Sequence, residues 1–205
     1  MKQTSRQRLL TAAWKSGVFL GILWASCAGA VAATASSSVV TPFVVATYNT
    51  HLFFDTMDDP HTRDLIETSL RFKQKLQQLS RFISEALSCP DVLAVQEVEN
   101  IQTLQRLGDA SCAHAGGYRA VLQEGNDFVG MDVGFLVRRR LNIRSVQSLA
   151  KQEKMPRGRG FLFDHPPLLL QLQGPDHGQQ LSFLVVHNRS FKGLEHPKKR
   201  RFVEY

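Results

Sequence analysis

The feature that most constrains the fold is a short apolar run, Asp91-Val-Leu-Ala-Val-Gln96, set between two stretches of helical periodicity. Before it, Phe72, Leu76, Leu79, Ile83 and Leu87 recur every three or four residues. That spacing predicts an amphipathic helix over roughly 65–88, ended by Pro90. After it, Ile101, Leu104 and Leu107 start a second helix, which Gly108 is expected to stop. A run this short between turn signals reads as a strand. An earlier stretch, 39–49, is rich in β-branched and aromatic residues and reads as a buried strand; 55–63 reads as a loop. Further strands are expected at 118–123, 132–138, 141–147, 167–173 and 181–187. Strand and helix alternate first and strands follow in series, which implies a mixed α/β sheet system. With 205 residues, 43% hydrophobic and 21% charged, the chain is sized and composed for one globular domain. Collagen-like, disordered and multi-span membrane classes are excluded.

The first 32 residues form a separate zone. A basic start, Lys2 to Lys15, precedes the apolar run 17–27, and small residues follow. This is the pattern of a signal peptide cleaved after Ala32, with Ala30 as the alternative. The apolar run is shorter than the ~20 residues a spanning helix needs, so an uncleaved anchor is the weaker reading. The chain is therefore expected to be secreted or periplasmic, with residues 33–41 as a linker and no membrane anchor after cleavage. The formal charge of +7 belongs mostly to this zone, which holds four basic residues and no acid. Without it, 21 basic residues face 18 acidic ones, leaving +3, so basicity is weak support for a nucleic-acid partner. Cys89 and Cys112 remain after cleavage. An exported chain with an even count permits a disulfide, and two buried thiols are the alternative. No CxxC or Cys/His cluster points to zinc or redox chemistry.

Three strands end in polar clusters: Tyr48-Asn49-Thr50-His51, Gln96-Glu97-Val98-Glu99-Asn100 and Val186-His187-Asn188-Arg189-Ser190. Ligands of α/β sheets collect beyond strand ends. An amide oxygen, a carboxylate and an imidazole meeting there suit a phosphate ester and a hard divalent cation. Each could instead cap a strand or a loop. Glu99 alternates away from Glu97 and is expected to serve the helix start. Arg138-Arg-Arg140 reads as a strand end in water. His61, His114, His177 and His196 read as surface residues.

Taken in order, five blocks resemble the endonuclease/exonuclease/phosphatase family, in the style of its secreted bacterial DNase I-like members. They are Val45–Asn49 with Leu52–Asp55, then Asp91–Asn100, Gly130–Arg138, Pro166–Leu168, and Val186-His187 with Ser190. The resemblance runs from about Val44 to Arg201. It implies a two-sheet α/β sandwich that hydrolyses phosphodiesters or phosphomonoesters with Mg²⁺ or another divalent cation such as Mn²⁺ or Ca²⁺. It implies Glu97 and Asn49 as metal residues and His187 as the contact to the scissile phosphate. Asp132 would be a positioning residue behind it, and Arg189 and Ser190 substrate contacts. Nucleic acid is the implied substrate, and no stable protein partner is implied. A phospholipid or sugar-phosphate phosphodiesterase stays open within the same fold, and so does a non-catalytic secreted protein that binds an anionic polymer.

Some positions depart from the family pattern. His51-Leu52 stands where relatives often carry Glu-Asn, Val129 where an arginine commonly precedes Gly130, and His165 where an arginine often precedes Pro166. Histidine and valine do not reproduce arginine's bidentate phosphate contact. The family's later Gly-Asp-x-Asn and Ser-Asp-His blocks are not found before Tyr205. The sequence expectation is therefore a domain over 42–205 that is incomplete at its C-terminus and inactive alone.

Overall fold

The computed structural model describes residues 42–156, 160–174 and 179–188. The expected signal peptide, the linker, Arg189 and Ser190 lie outside the described residues.

The described elements are β1 (Val45–Phe53), α1 (Ser69–Arg81), β2 (Val92–Val98), α2 (Ile101–Ala110), β3 (Tyr118–Leu122), β4 (Asp132–Arg138), β5 (Ile143–Ser148), β6 (Leu168–Gln173) and β7 (Gln180–Val185). They form two sheets, ordered β1-β2-β4-β3 and β5-β6-β7. β1 and β2 run parallel, and the remaining pairs are antiparallel. The α/β two-sheet architecture expected from the sequence is the one observed. No helix among the described residues is long and apolar enough to cross a membrane.

Period-two alternation divides the core between two faces. Leu93, Val95, Tyr118 and Leu136 point one way and pack with Leu79, Ile83, Leu104 and Leu107 from the helical layer. Val92, Val133, Phe135 and Val137 point the other way and meet Leu168, Leu170, Leu172 and Val185 of the second sheet. The order of layers is thus helices, first sheet, second sheet. At roughly 25 cal/mol per Å² of apolar area, these two interfaces are the main source of stability.

Helix boundaries differ from the sequence reading. α1 begins at Ser69, where the Thr68 side chain accepts from Arg71 N at 3.3 Å. Leu65 and Ile66 lie exposed in the chain that leads to this cap. The helix widens into a π-turn over Phe82–Ala86, and Ser88 and Cys89 then take positive φ before Pro90. α2 is capped by Asn100, whose Oδ1 accepts from Thr103 N at 2.8 Å, and it runs through Gly108 to Ala110. Gly108 serves packing instead of ending the helix. A Cβ there would stand 3.1 Å from Leu136 Cδ2 and 3.3 Å from Tyr118 Cβ, so glycine lets α2 settle onto the sheet.

Two further features differ from, or decide between, the sequence expectations. Arg138 is buried, with its guanidinium 5.4 Å from the centre of the Tyr118 ring, because it closes a strand whose residues are all covered. Cys89 and Cys112 are joined by a disulfide with Cα atoms 5.8 Å apart, which ties the exit of α1 to the exit of α2.

Candidate active site

The site is built where β1 and β2 stop pairing regularly. Their parallel register holds from Val45↔Val92 to Asn49↔Gln96, then shifts before Phe53↔Val98. Inside that irregularity His51, Leu52 and Glu97 all have φ between 57° and 61°. Left-handed backbone at a non-glycine residue costs about 1–2 kcal/mol and must be held by its surroundings. Here the Thr50 hydroxyl lies 2.8 Å from the carbonyl oxygens of both Gln96 and Glu97. Lys75, on α1, donates to Leu52 O at 2.8 Å and also to His51 O.

These turns aim the side chains. Asn49 Nδ2 donates to Glu97 Oε1 at 2.8 Å, and Leu52 N donates to Glu97 Oε2 at 3.1 Å. His51 N donates to Asn49 Oδ1 at 2.8 Å. His187, just past β7, places Nε2 3.5 Å from Glu97 Oε1. The structure therefore brings Asn49, Glu97 and His187 together.

Behind His187 stands His165, edge-on, with ring centres 4.8 Å apart. His165 Nε2 lies 3.8 Å from Asp127 Oδ2, an ion-pair distance too long for a hydrogen bond. Both ring nitrogens of His165 are buried without a hydrogen-bond partner among the described residues. Burial, and then repulsion from His165, push the His187 pKa below the ordinary histidine value against the pull of Glu97 and Asp127. Burial alone would raise the Asp127 carboxyl. His165 and the amides of Met131 and Val129 outweigh it and hold that group below the ordinary aspartate range.

Asp132 shares Asp127 as an electrostatic neighbour with this cluster. It is buried at the start of β4, where Oδ1 accepts from Gly125 N at 2.6 Å. Burial first, and then the neighbouring Glu124 carboxyl, raise its pKa well above the usual range. Its described neighbours are Glu124, Gly125 and Asp127. Glu99 also differs from expectation. It is buried, its Oε2 accepts from Asp55 N at 2.5 Å, and Asn100 caps the helix in its place. Burial, with Asp55 and Asp64 adding repulsion, raises its pKa to about 7.

Lys75 was not singled out in the sequence, yet it reaches the site. Burial lowers its pKa, while Glu67 and Glu97 oppose the shift. A signal was present: Lys75 falls three residues after Phe72 and four before Leu79, on the inward stripe of α1. His165 and Asp127 carried no such local signal as a pair.

Among the described residues, no group of three or more His, Cys, Asp or Glu is placed to hold a metal ion. One carboxylate and one amide oxygen fit a hard cation that keeps several waters and takes the ester's own oxygens as further ligands.

The described chain is a two-sheet α/β fold that brings an amide, a carboxylate and an imidazole together where its strands end. The chain belongs to the endonuclease/exonuclease/phosphatase family, whose model matches residues 44–204; this is a family of phosphodiesterase- and nuclease-type hydrolases. No curated protein is significantly similar in sequence. Among solved structures, the chain is similar to a functionally unknown conserved protein from Enterococcus faecalis V583, at 13% identity and TM-score 0.45, over 78% of this chain and 58% of that one. It is also similar to TDP2 from Caenorhabditis elegans, at 14% identity and TM-score 0.40, over 67% and 36% of the two chains. A third is D. rerio TDP2 complexed with a single-strand DNA product, at 21% identity and TM-score 0.39, over 66% and 48%. The chain thus spans between about a third and three fifths of these structures.

Proposed function

We propose that this protein is a secreted or periplasmic phosphodiester hydrolase acting on nucleic acid with a divalent cation, Mg²⁺ first among the candidates. The observation that carries the reading is the convergence of Asn49, Glu97 and His187 from three strand tips. Glu97 and Asn49 would hold the cation. When bound, the cation would neutralise the phosphoryl oxygens and polarise phosphorus toward attack.

The remaining work falls to this chain's own groups. His187 donates a hydrogen bond to a non-bridging phosphoryl oxygen as charge builds there. The edge-on His165 ring and the Asp127 carboxylate behind it limit how far the His187 ring can turn. Lys75 fastens the His51–Leu52 turn that supplies one amide to Glu97, so the carboxylate is oriented before substrate arrives. The signal-peptide pattern supports an extracytoplasmic location, and the Cys89–Cys112 disulfide suits an oxidising compartment. Residues 42–205 are proposed as the family domain.

The test is incubation of the purified protein with plasmid, single-stranded DNA and RNA in Mg²⁺. Turnover that stops with EDTA and with Glu97→Ala is the expected result. Binding of polyanion without turnover would overturn the proposal in favour of the non-catalytic reading. Release of a phospholipid head group instead would move the substrate within the same chemistry.

A further inference from the structure

An open cleft of about 670 Å³ lies between the 59–63 and 124–130 loops. At its mouth the Phe128 ring is 63% exposed, although a phenylalanine gains most from being covered. It is not a loose side chain. Arg63 lays its guanidinium over the Phe128 ring at 4.6 Å, and Arg63 N donates to Phe128 O at 3.0 Å. The turn that carries Phe128 is closed by Gly130 N donating to Asp127 O at 3.1 Å and by Met131 N donating to Asp127 Oδ2 at 3.1 Å. Gly130, at φ 79°, lies so close to Thr62 that a Cβ would stand 3.0 Å from its side chain. The two loops are therefore laced together, and they hold one aromatic face toward solvent with a cation already stacked against the ring.

The platform is linked to the ester site through Asp127. Asp127, the residue before Phe128, faces His165 at 3.8 Å, and His165 stands edge-on to His187 at 4.8 Å. We propose that Phe128 and Arg63 form a stacking platform for a nucleobase of single-stranded nucleic acid whose phosphodiester lies at His187. This rests on the proposed function and narrows its substrate to strands with unpaired bases. Aromatic rings and guanidinium planes accept any base face, but only one freed from its own duplex stack. Asp59, which lines the cleft, supplies a carboxylate for base edges, while the Asn126 amide beside it is held by Lys151 O and Phe163 O. An acyl chain would have to desolvate those same groups, and they disfavour it.

The experiment uses the full protein in EDTA, so that binding is read without turnover. Fluorescence anisotropy compares a labelled single-stranded oligonucleotide with an abasic strand of equal length and charge. Wild type is expected to bind the base-bearing strand about tenfold to a hundredfold more tightly. Phe128→Ala and Arg63→Ala should bring it to the abasic level, and Phe128→Tyr should keep the preference. Equal binding of both strands by wild type, or a preference unchanged in Phe128→Ala, overturns the proposal. Ester cleavage without base preference would remove the platform and leave the hydrolase reading intact. Base preference without cleavage of any ester would do the reverse. Because Phe128 is exposed, a thermal melt serves to confirm that the variant is folded.

Discussion

Asn49 and Glu97, 48 residues apart, are joined by a 2.8 Å hydrogen bond across the one parallel strand pair among the described residues. The bond forms because Glu97 leaves the extended conformation at φ 61°, which turns its carboxylate from the plain alternation of β2 toward the tip of β1. Both carboxylate oxygens are thereby engaged, one by Asn49 and one by Leu52 N. A fixed carboxylate loses little freedom when a cation or ester arrives.

Glu97→Gln should weaken divalent-cation binding by about tenfold or more, since even outer contacts of metal sites cost tenfold to a hundredfold. Calorimetric titration with Mn²⁺ measures it. An unchanged affinity would remove Glu97 from the cation site.

His187→Ala should lower turnover of a phosphodiester by about 10²–10³-fold, the usual cost of one donor to a developing oxyanion. KM should change little, because that hydrogen bond strengthens as charge develops. Single-turnover kinetics on a short oligonucleotide would show this, and a loss confined to KM would contradict it.

Glu99 ties stability to pH. Its carboxyl holds its proton up to about pH 7 in the folded chain, against an ordinary value near 4.5. Between those values the native state binds more protons than the unfolded one. This contribution is therefore full below the ordinary value and is lost as pH rises through 7. The loss should be about 1–3 kcal/mol. In urea melts from about pH 5 to pH 8, wild type should weaken relative to Glu99→Gln. Parallel curves would refute the assignment.

Reduction of Cys89–Cys112 should destabilise the fold by about 3 kcal/mol, as expected for a loop closed over 23 residues. Denaturant midpoints with and without dithiothreitol measure it, and thiol counting on the unreduced protein should find neither cysteine free.

Gly134→Ala should cost about 1–3 kcal/mol by overpacking. A Cβ there would stand 2.7 Å from Leu104 Cδ2 and 2.8 Å from Val121 O, and the latter is strand backbone that cannot step aside. Thermal melts would test it, and an unshifted midpoint would show that α2 can retreat from the sheet.

The fold was legible wherever side-chain periodicity is local. The expected strand 132–138 coincides with β4, and the expected strands 118–123, 167–173 and 181–187 come within two residues of β3, β6 and β7 at each end. Boundaries failed where a tertiary partner decides them. Gly108 looked like a stop, but the approach of Leu136 and Tyr118 makes it a packing position within α2. The site was legible to the extent that Asn49, Glu97 and His187 each stand at the end of an apolar run. Glu99 was misjudged because its partner, Asp55, comes from a loop whose path the sequence does not reveal.

The sequence by itself determined the order of strands and helices, the two faces of the core and the residue types at the strand tips, because these follow from spacing along the chain and the removal of apolar side chains from water. Only the tertiary structure decided the left-handed turns at His51, Leu52 and Glu97, the stacking of His165 on His187 and of Arg63 on Phe128, and the reach of Lys75 into the site. These contacts join residues 22 to 65 positions apart, or set a backbone angle that the local residue would not choose, so they exist only after the sheets and helices have packed.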